Sequence, residues 1–160
     1  MIIQKIKNKF FQLMEKLDRK RVIYDRLENE PYLERYYLFL KDRNKFPFNI
    51  FLHKFLKSDP DHVHDHPWPY ATLILKGGYY EYVPKFNEQG LKVGEHCHWR
   101  GPGHFRICKE NSYHRIEIKP GVECWTLFMP GPQRREWGFL VNNKWIQHES
   151  YFEFRKSTSK

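Results

Sequence analysis

The sequence holds no apolar run long enough to cross a bilayer. The longest near its middle, Ala71–Leu75, falls far short of the roughly 20 residues a spanning helix needs. The first residues interleave Lys5, Lys7 and Lys9 with apolar neighbours. They lack the uninterrupted apolar centre of a secretory signal, so a cytoplasmic location is expected. Cysteine is scarce: Cys97, Cys108 and Cys124 are odd in number and show no Cys-x-x-Cys spacing. Free thiols in a reducing compartment follow, not a disulfide framework. A chain of 160 residues buries roughly 70% of its unfolded surface without such staples. Acidic residues are outnumbered, 19 against 28 Lys+Arg, for a net charge of +9 with histidines neutral. The plain consequence is a solvated Lys-rich surface; the sharper one is attraction to anionic partners. No internal repeat and no linker divides the chain, so one domain is expected.

Aromatic residues are abundant: 13 Phe, 10 Tyr and 5 Trp make 18% of the chain. Such residues suit half-buried pleated surfaces and favour a β-rich domain. The N-terminal stretch is the exception. Ile3, Ile6, Phe10, Leu13 and Leu17 recur at three- and four-residue steps, with Met14 beside them. This stripe predicts a helix over residues 1–22, within a segment 1–30 packed on the domain. A basic amphipathic helix lying on a membrane surface or on RNA is the competing reading. Glu30-Pro31 breaks the helical pattern.

Beyond it, Arg35–Leu40 and Phe48–Leu56 flank the polar stretch Lys41-Asp42-Arg43-Asn44-Lys45 and read as an antiparallel hairpin. Apolar runs follow at Ala71–Leu75, Tyr79–Val83, Phe105–Cys108, His114–Ile118 and Val122–Met129. Gly77-Gly78, Gly101-Pro102-Gly103, Pro120-Gly121 and Pro130-Gly131-Pro132 punctuate them. Many short strands without helices between them predict an all-β sandwich or closed barrel over residues 31–154. Trp137–Val141 and Trp145–Phe154 add a strand or a closing helix, and residues 155–160 a frayed tail.

The nine histidines carry the chemistry. His62, His64 and His66 alternate with Val63 and Asp65. In an extended chain, positions two apart share a side, so a His-x-His pair aims two imidazoles at one point. Imidazole nitrogen suits Fe, Zn, Cu and Ni. His114, starting a strand-like run, supplies a third donor.

These residues resemble the cupins, small double-stranded β-helix (jelly-roll) barrels. The first cupin motif runs Gly, His-x-His, Glu and a closing Gly. Here His64-Asp65-His66 matches the pair and Gly77 the closing Gly, while Tyr70 stands at the Glu position. In the second motif His114 matches the His, and Lys109-Glu110-Asn111 replaces Pro-x-Gly. A fuller resemblance is to cupin-like proteins of phage and bacterial type that share a His-Asp-His-Pro-Trp motif. It rests on His53-Lys54-Phe55, Asp59-Pro60-Asp61, His64–Trp68, Gly77-Gly78-Tyr79, His114-Arg115, Trp125–Phe128 and Arg134–Phe139.

The resemblance implies a cupin-like jelly roll with an N-terminal α-helix, and a divalent metal on His64, His66 and His114. Three neutral ligands leave a divalent ion fully charged with open positions, ready for an anion. This arrangement is similar to the thiol dioxygenases among cupins, which use Fe(II) and O₂. Fe(II) is the leading metal; Zn, Ni or Mn are alternatives, and Zn would activate water instead. The expected activity is that of an oxygenase on a small anionic substrate. Glu81 is open to three roles: late ligand, general base, or partner to an imidazole. Tyr70 shares the acid/base roles, and Arg106 is expected to position the anion. Pairing of barrels into a homodimer is a family expectation.

Other residues have competing assignments. His53, between Phe51 and Phe55, is a core histidine or faces the substrate cavity. His96-Cys97-His98 with His104 offers a second metal site, and Asp61 and Asp65 offer partners for ring N–H groups. Arg134-Arg135-Glu136-Trp137 offers a nucleic-acid contact or a capping turn. Two other functions stay open: a metal-free sugar-nucleotide isomerase or epimerase working through histidine and tyrosine, and a non-enzymatic RNA or polyanion binder.

Overall fold

The computed structural model describes residues 2–41 and 46–158. Helix α1 spans Ile2–Lys16, shorter than the 1–22 read from the sequence. Asp18 takes a φ of +52°, a left-handed residue of the kind that stops helices. The Arg19 amide then returns to the Met14 carbonyl at 2.7 Å. The chain reverses into strand β1, Lys20–Tyr24, antiparallel to β2, Pro31–Tyr37. Val22 and Ile23 therefore serve a sheet edge, where β-branched residues fit, and not a helix.

The docked face of α1 also differs from the predicted stripe. Phe11 and Met14 pack on Tyr36, Leu52 and Trp125, while Ile6, Phe10, Leu13 and Leu17 stay exposed. The outer face of the sheet presents aromatic rings, and the Phe11 ring meets Tyr36 and Trp125 at 4.9 and 5.3 Å. Ring-to-ring complementarity, not the number of aliphatic residues, selects the face.

Strand β3, Phe51–Phe55, pairs with β2 as the expected hairpin, in the register Arg35↔His53. Of its polar connection, residues 42–45 lie outside the described residues. The remaining strands are β4 Tyr70–Lys76, β5 Tyr79–Phe86, β6 Lys92–Arg100, β7 Phe105–Cys108, β8 Arg115–Glu117, β9 Cys124–Pro130, β10 Gly138–Val141 and β11 Lys144–Gln147. Helix α2, His148–Thr158, follows, so residues 155–158 are helical where a frayed tail was expected. Its Tyr151 is fully buried against Phe139, with ring centroids 3.8 Å apart. That contact gives the last turns a docked anchor.

Six strands form one sheet in the order β1-β2-β3-β9-β4-β7; β6-β5-β8 and β10-β11 form the others. The segment 58–65 joins the two smaller sheets. The Asp59 amide donates to the Ile116 carbonyl at 2.9 Å, and the Leu140 amide to the Val63 carbonyl at 2.9 Å. Tyr79 and Ile116 pack against Ile74, Cys124 and Phe55 of the large sheet, so the two layers face each other. At the β4–β5 turn Gly77 takes φ +72°, and an added Cβ would stand 2.1 Å from the Glu123 carbonyl oxygen. Only glycine lets the two layers close at this corner.

Candidate metal centre

Backbone pairing sets the geometry of the histidines. The His64 amide donates to the His114 carbonyl at 2.8 Å, and the His114 amide to the His64 carbonyl at 2.9 Å. Two residues that exchange both bonds sit directly opposite each other. His66, two positions on, points to the same side as His64. The other edge of this segment is tied to β10, with the Asp65 amide donating to the Gly138 carbonyl at 3.0 Å. The buried Asp65 carboxylate faces away from the imidazoles. It accepts from the Gly138 amide at 2.7 Å and from Trp145 Nε1 at 3.0 Å, and pairs with Arg135 at 3.0 Å. Burial outweighs these donors and raises its carboxyl above the ordinary range. Asp65 anchors the β10–β11 hairpin, and Asp61 is 87% exposed in its side chain; neither orients a ring in the way weighed from the sequence.

One nitrogen from each of His64, His66 and His114 lies within 4.8 Å of the others. His66 Nε2 and His114 Nε2 are 2.9 Å apart. The Glu81 carboxylate lies 2.9 Å from His114 Nδ1, so Nδ1–H donates there and Nε2 presents its lone pair to the centre. His64 Nδ1 is buried without a hydrogen-bond partner. Burial lowers His64 to about 4 and holds His66 well below 6.5, with the neighbouring imidazoles adding to it. Neutral imidazole is the form that binds metal. Three imidazole donors converging from hydrogen-bonded backbone fit a divalent transition ion.

Glu81 is 1% exposed. Arg100 Nε donates to its Oε2 at 2.9 Å, and the Arg106 guanidinium closes on its Oε1. Burial pushes this carboxyl up, but His114, Arg106 and Arg100 outweigh it and hold it at about 2. Of the three roles open to Glu81, the geometry supports that of partner to an imidazole. Arg106, read from sequence as the grip for an anion, is engaged with Glu81. The Tyr70 hydroxyl stands 3.4 Å from His114 Nε2, and its ring 4.6 Å from that of His66. Burial, with Cys108 beside it, raises this phenol well above 10. A protonated phenol thus stands beside the imidazoles.

His64, His66, Tyr70, Glu81, Arg106 and His114 line one cavity of about 570 Å³ between the layers. Trp68 lines it too, whereas Trp125 lies under α1. His62 is not part of the cluster; its Nδ1 meets the Tyr151 hydroxyl at 3.0 Å. His96 and His98 stack on the exposed strand β6. They do not join His104 or a cysteine in a metal-capable group among the described residues. The other such group, Asp25, Glu28 and Glu30, surrounds the Lys57 ammonium. Arg115 lies outside, on Glu95 and 3.7 Å over the Tyr82 ring. Arg134 and Arg135 pair with Glu110 and Asp65. His53 is both buried and in the cavity wall. Two arginines escaped the sequence reading: Arg100, the second cation on Glu81, and Arg35, which donates to His53 at 3.0 Å. A charge alternating with Leu33 and Tyr37 on an aromatic strand was the available signal for the latter.

No family model and no curated protein matches the sequence. Solved structures do resemble it. The polyketide cyclase RemF from Streptomyces resistomycificus is 17% identical with a TM-score of 0.53, over 79% of this chain and 82% of that one. A cupin-2 domain protein from Rhodospirillum rubrum is 14% identical with a TM-score of 0.53, over 85% and 81%. HEPD from Streptomyces albus, with 2-hydroxyethylphosphonate and Fe(II) bound, is 14% identical with a TM-score of 0.52, over 73% of this chain. The chain spans only 26% of HEPD's length. No described helix is long and apolar enough to cross a membrane. Layer arrangement and structural neighbours agree that this chain has the cupin fold, a β-sandwich carrying a helix at each end.

Proposed function

We propose that His64, His66 and His114 hold a divalent metal, Fe(II) foremost with Zn, Ni or Mn as alternatives, in an oxygenase acting on a small anionic substrate. The observation that carries this is the convergence of three imidazoles, without a carboxylate ligand, in the wall of one cavity. Fe(II) bound there would supply the activation of O₂; Zn in its place would favour hydrolysis. Glu81 keeps His114 in one tautomer and one orientation. Arg100 and Arg106 help hold the Glu81 carboxyl at about 2, which makes the carboxylate a weak base and leaves it no proton to give at neutral pH. Tyr70, protonated and beside His114, is the group placed to donate a proton or hydrogen bond to a substrate oxygen.

The test is anaerobic loading with Fe(II), followed by O₂ uptake with a panel of small thiols, carboxylic acids and phosphonates. Uptake with at least one acid, abolished in a folded His66→Ala variant, is expected. Equal uptake by His66→Ala, or no acid-dependent uptake by loaded wild type, overturns the oxygenase reading.

A further inference from the structure

Arg35 stands apart from the other arginines of the cavity. Arg106 is neutralised by Glu81, and Arg155 has Asp61 within 3.8 Å. Arg26 is exposed to water. Arg35 is enclosed between β1 and β3 and borders the cavity, yet no carboxylate among the described residues pairs with it. Its Nε donates to His53 Nε2 at 3.0 Å, and its guanidinium lies 4.6 Å over the Phe51 ring. These contacts orient the planar fork without cancelling its charge. A guanidinium withdrawn from bulk water calls for a counter-charge, and the described residues supply none.

Ring contacts through Phe128 connect this place to the histidine cluster. His53 stacks on Phe128 at 5.2 Å, and Phe128 lies 6.4 Å from His66 and 5.1 Å from Tyr70. The wall between the free charge and the imidazoles is therefore aromatic. We infer that Arg35, held by His53, is the seat for the acidic group of the substrate, and that the substrate is a carboxylate or phosphonate with an apolar body lying along Phe128 towards His66. The direction of that body rests on the reading of the three histidines as the reactive end; the seat itself does not require a metal.

The test uses benzoate and its neutral isostere benzamide as calorimetric probes of the full chain, metal-loaded and metal-stripped. Wild type is expected to prefer benzoate by about tenfold or more in both states, the size of a charge-assisted hydrogen-bonded contact. Arg35→Met is expected to bring the two probes level, and Arg35→Lys to restore part of the preference. An unchanged preference in folded Arg35→Met overturns the inference. So does a preference that vanishes when the metal is stripped, which would put the anion on the metal, or wild type with no preference at all. A preference that depends on Arg35 in a chain that retains no metal keeps the seat and removes the metal reading instead.

Discussion

Replacing Glu81 by Gln keeps the side chain's volume and deletes one charge, which makes it a sharp probe of the site's electrostatics. Two cations, Arg100 at 2.9 Å and Arg106, lose their counter-charge, and His114 Nδ1–H loses its charged acceptor at 2.9 Å. The carboxyl sits at about 2 in the folded chain against an ordinary 4.5, equivalent to about 3 kcal/mol of stability at 1.36 kcal/mol per pH unit. At 1% exposure, solvent screening takes little from this. Removing one partner of a buried ion pair costs about 3–5 kcal/mol by general experience, so the two routes agree at about 3 kcal/mol or somewhat more. Because the folded value is the lower one, the contribution is full above about 4.5 and is lost as the pH falls towards about 2. Urea denaturation of metal-stripped wild type and Glu81→Gln at pH 7 measures it. Metal competition should show affinity reduced by about tenfold or more, as for other groups that orient a ligand. A variant within about 0.5 kcal/mol of wild type would refute the claim that Glu81 is the counter-charge of this site.

Gly77→Ala meets both a left-handed φ and a carbonyl oxygen 2.1 Å from the new Cβ, whereas Gly90→Ala, at φ +75°, meets nothing within 4 Å. Denaturation should show about 1–2 kcal/mol for Gly90→Ala and clearly more, or failure to fold, for Gly77→Ala; equal costs would contradict the packing described at the corner. His53, His64 and His66 are all held below 6.5 by burial, His64 at about 4. Below 6.5 the unfolded chain binds protons that the folded chain refuses, so metal-stripped protein should lose stability from about pH 6.5 down to about pH 4. A denaturation midpoint that stays flat from pH 7 to pH 5 would contradict this. Cys97 is exposed, and Cys108 and Cys124 are buried. An aromatic disulfide reagent should therefore titrate one thiol rapidly in the native chain and all three in denaturant.

The histidine pair was legible because a strand's period of two is local: His64 and His66 share a side whatever the rest of the chain does. His114 was legible through its cupin-like spacing, but the two reciprocal backbone bonds that seat it opposite His64 are a tertiary fact. Glu81 was visible as a carboxylate in the right strand. Its role was not, since that depends on Arg100 and Arg106 arriving from β6 and β7. Strand β6 escaped notice because Lys92–Arg100 forms an exposed outer strand rich in charge and histidine, without an apolar alternation to read. The N-terminal helix misled in the opposite direction. Its aliphatic stripe is regular, but the sheet beneath offers Tyr36 and Trp125, and Phe11 and Met14 fit those rings better.

The most direct test of the account is metal content. Untagged wild type, reconstituted anaerobically with Fe(II) and desalted, should retain about one ion per chain, the stoichiometry of a single three-ligand centre. His64→Ala, His66→Ala and His114→Ala should each retain none while keeping the far-ultraviolet circular dichroism of the sandwich. Folded wild type that binds no Fe(II), Zn, Ni or Mn, or single variants that keep full occupancy, would contradict the proposal that these three histidines are the metal centre.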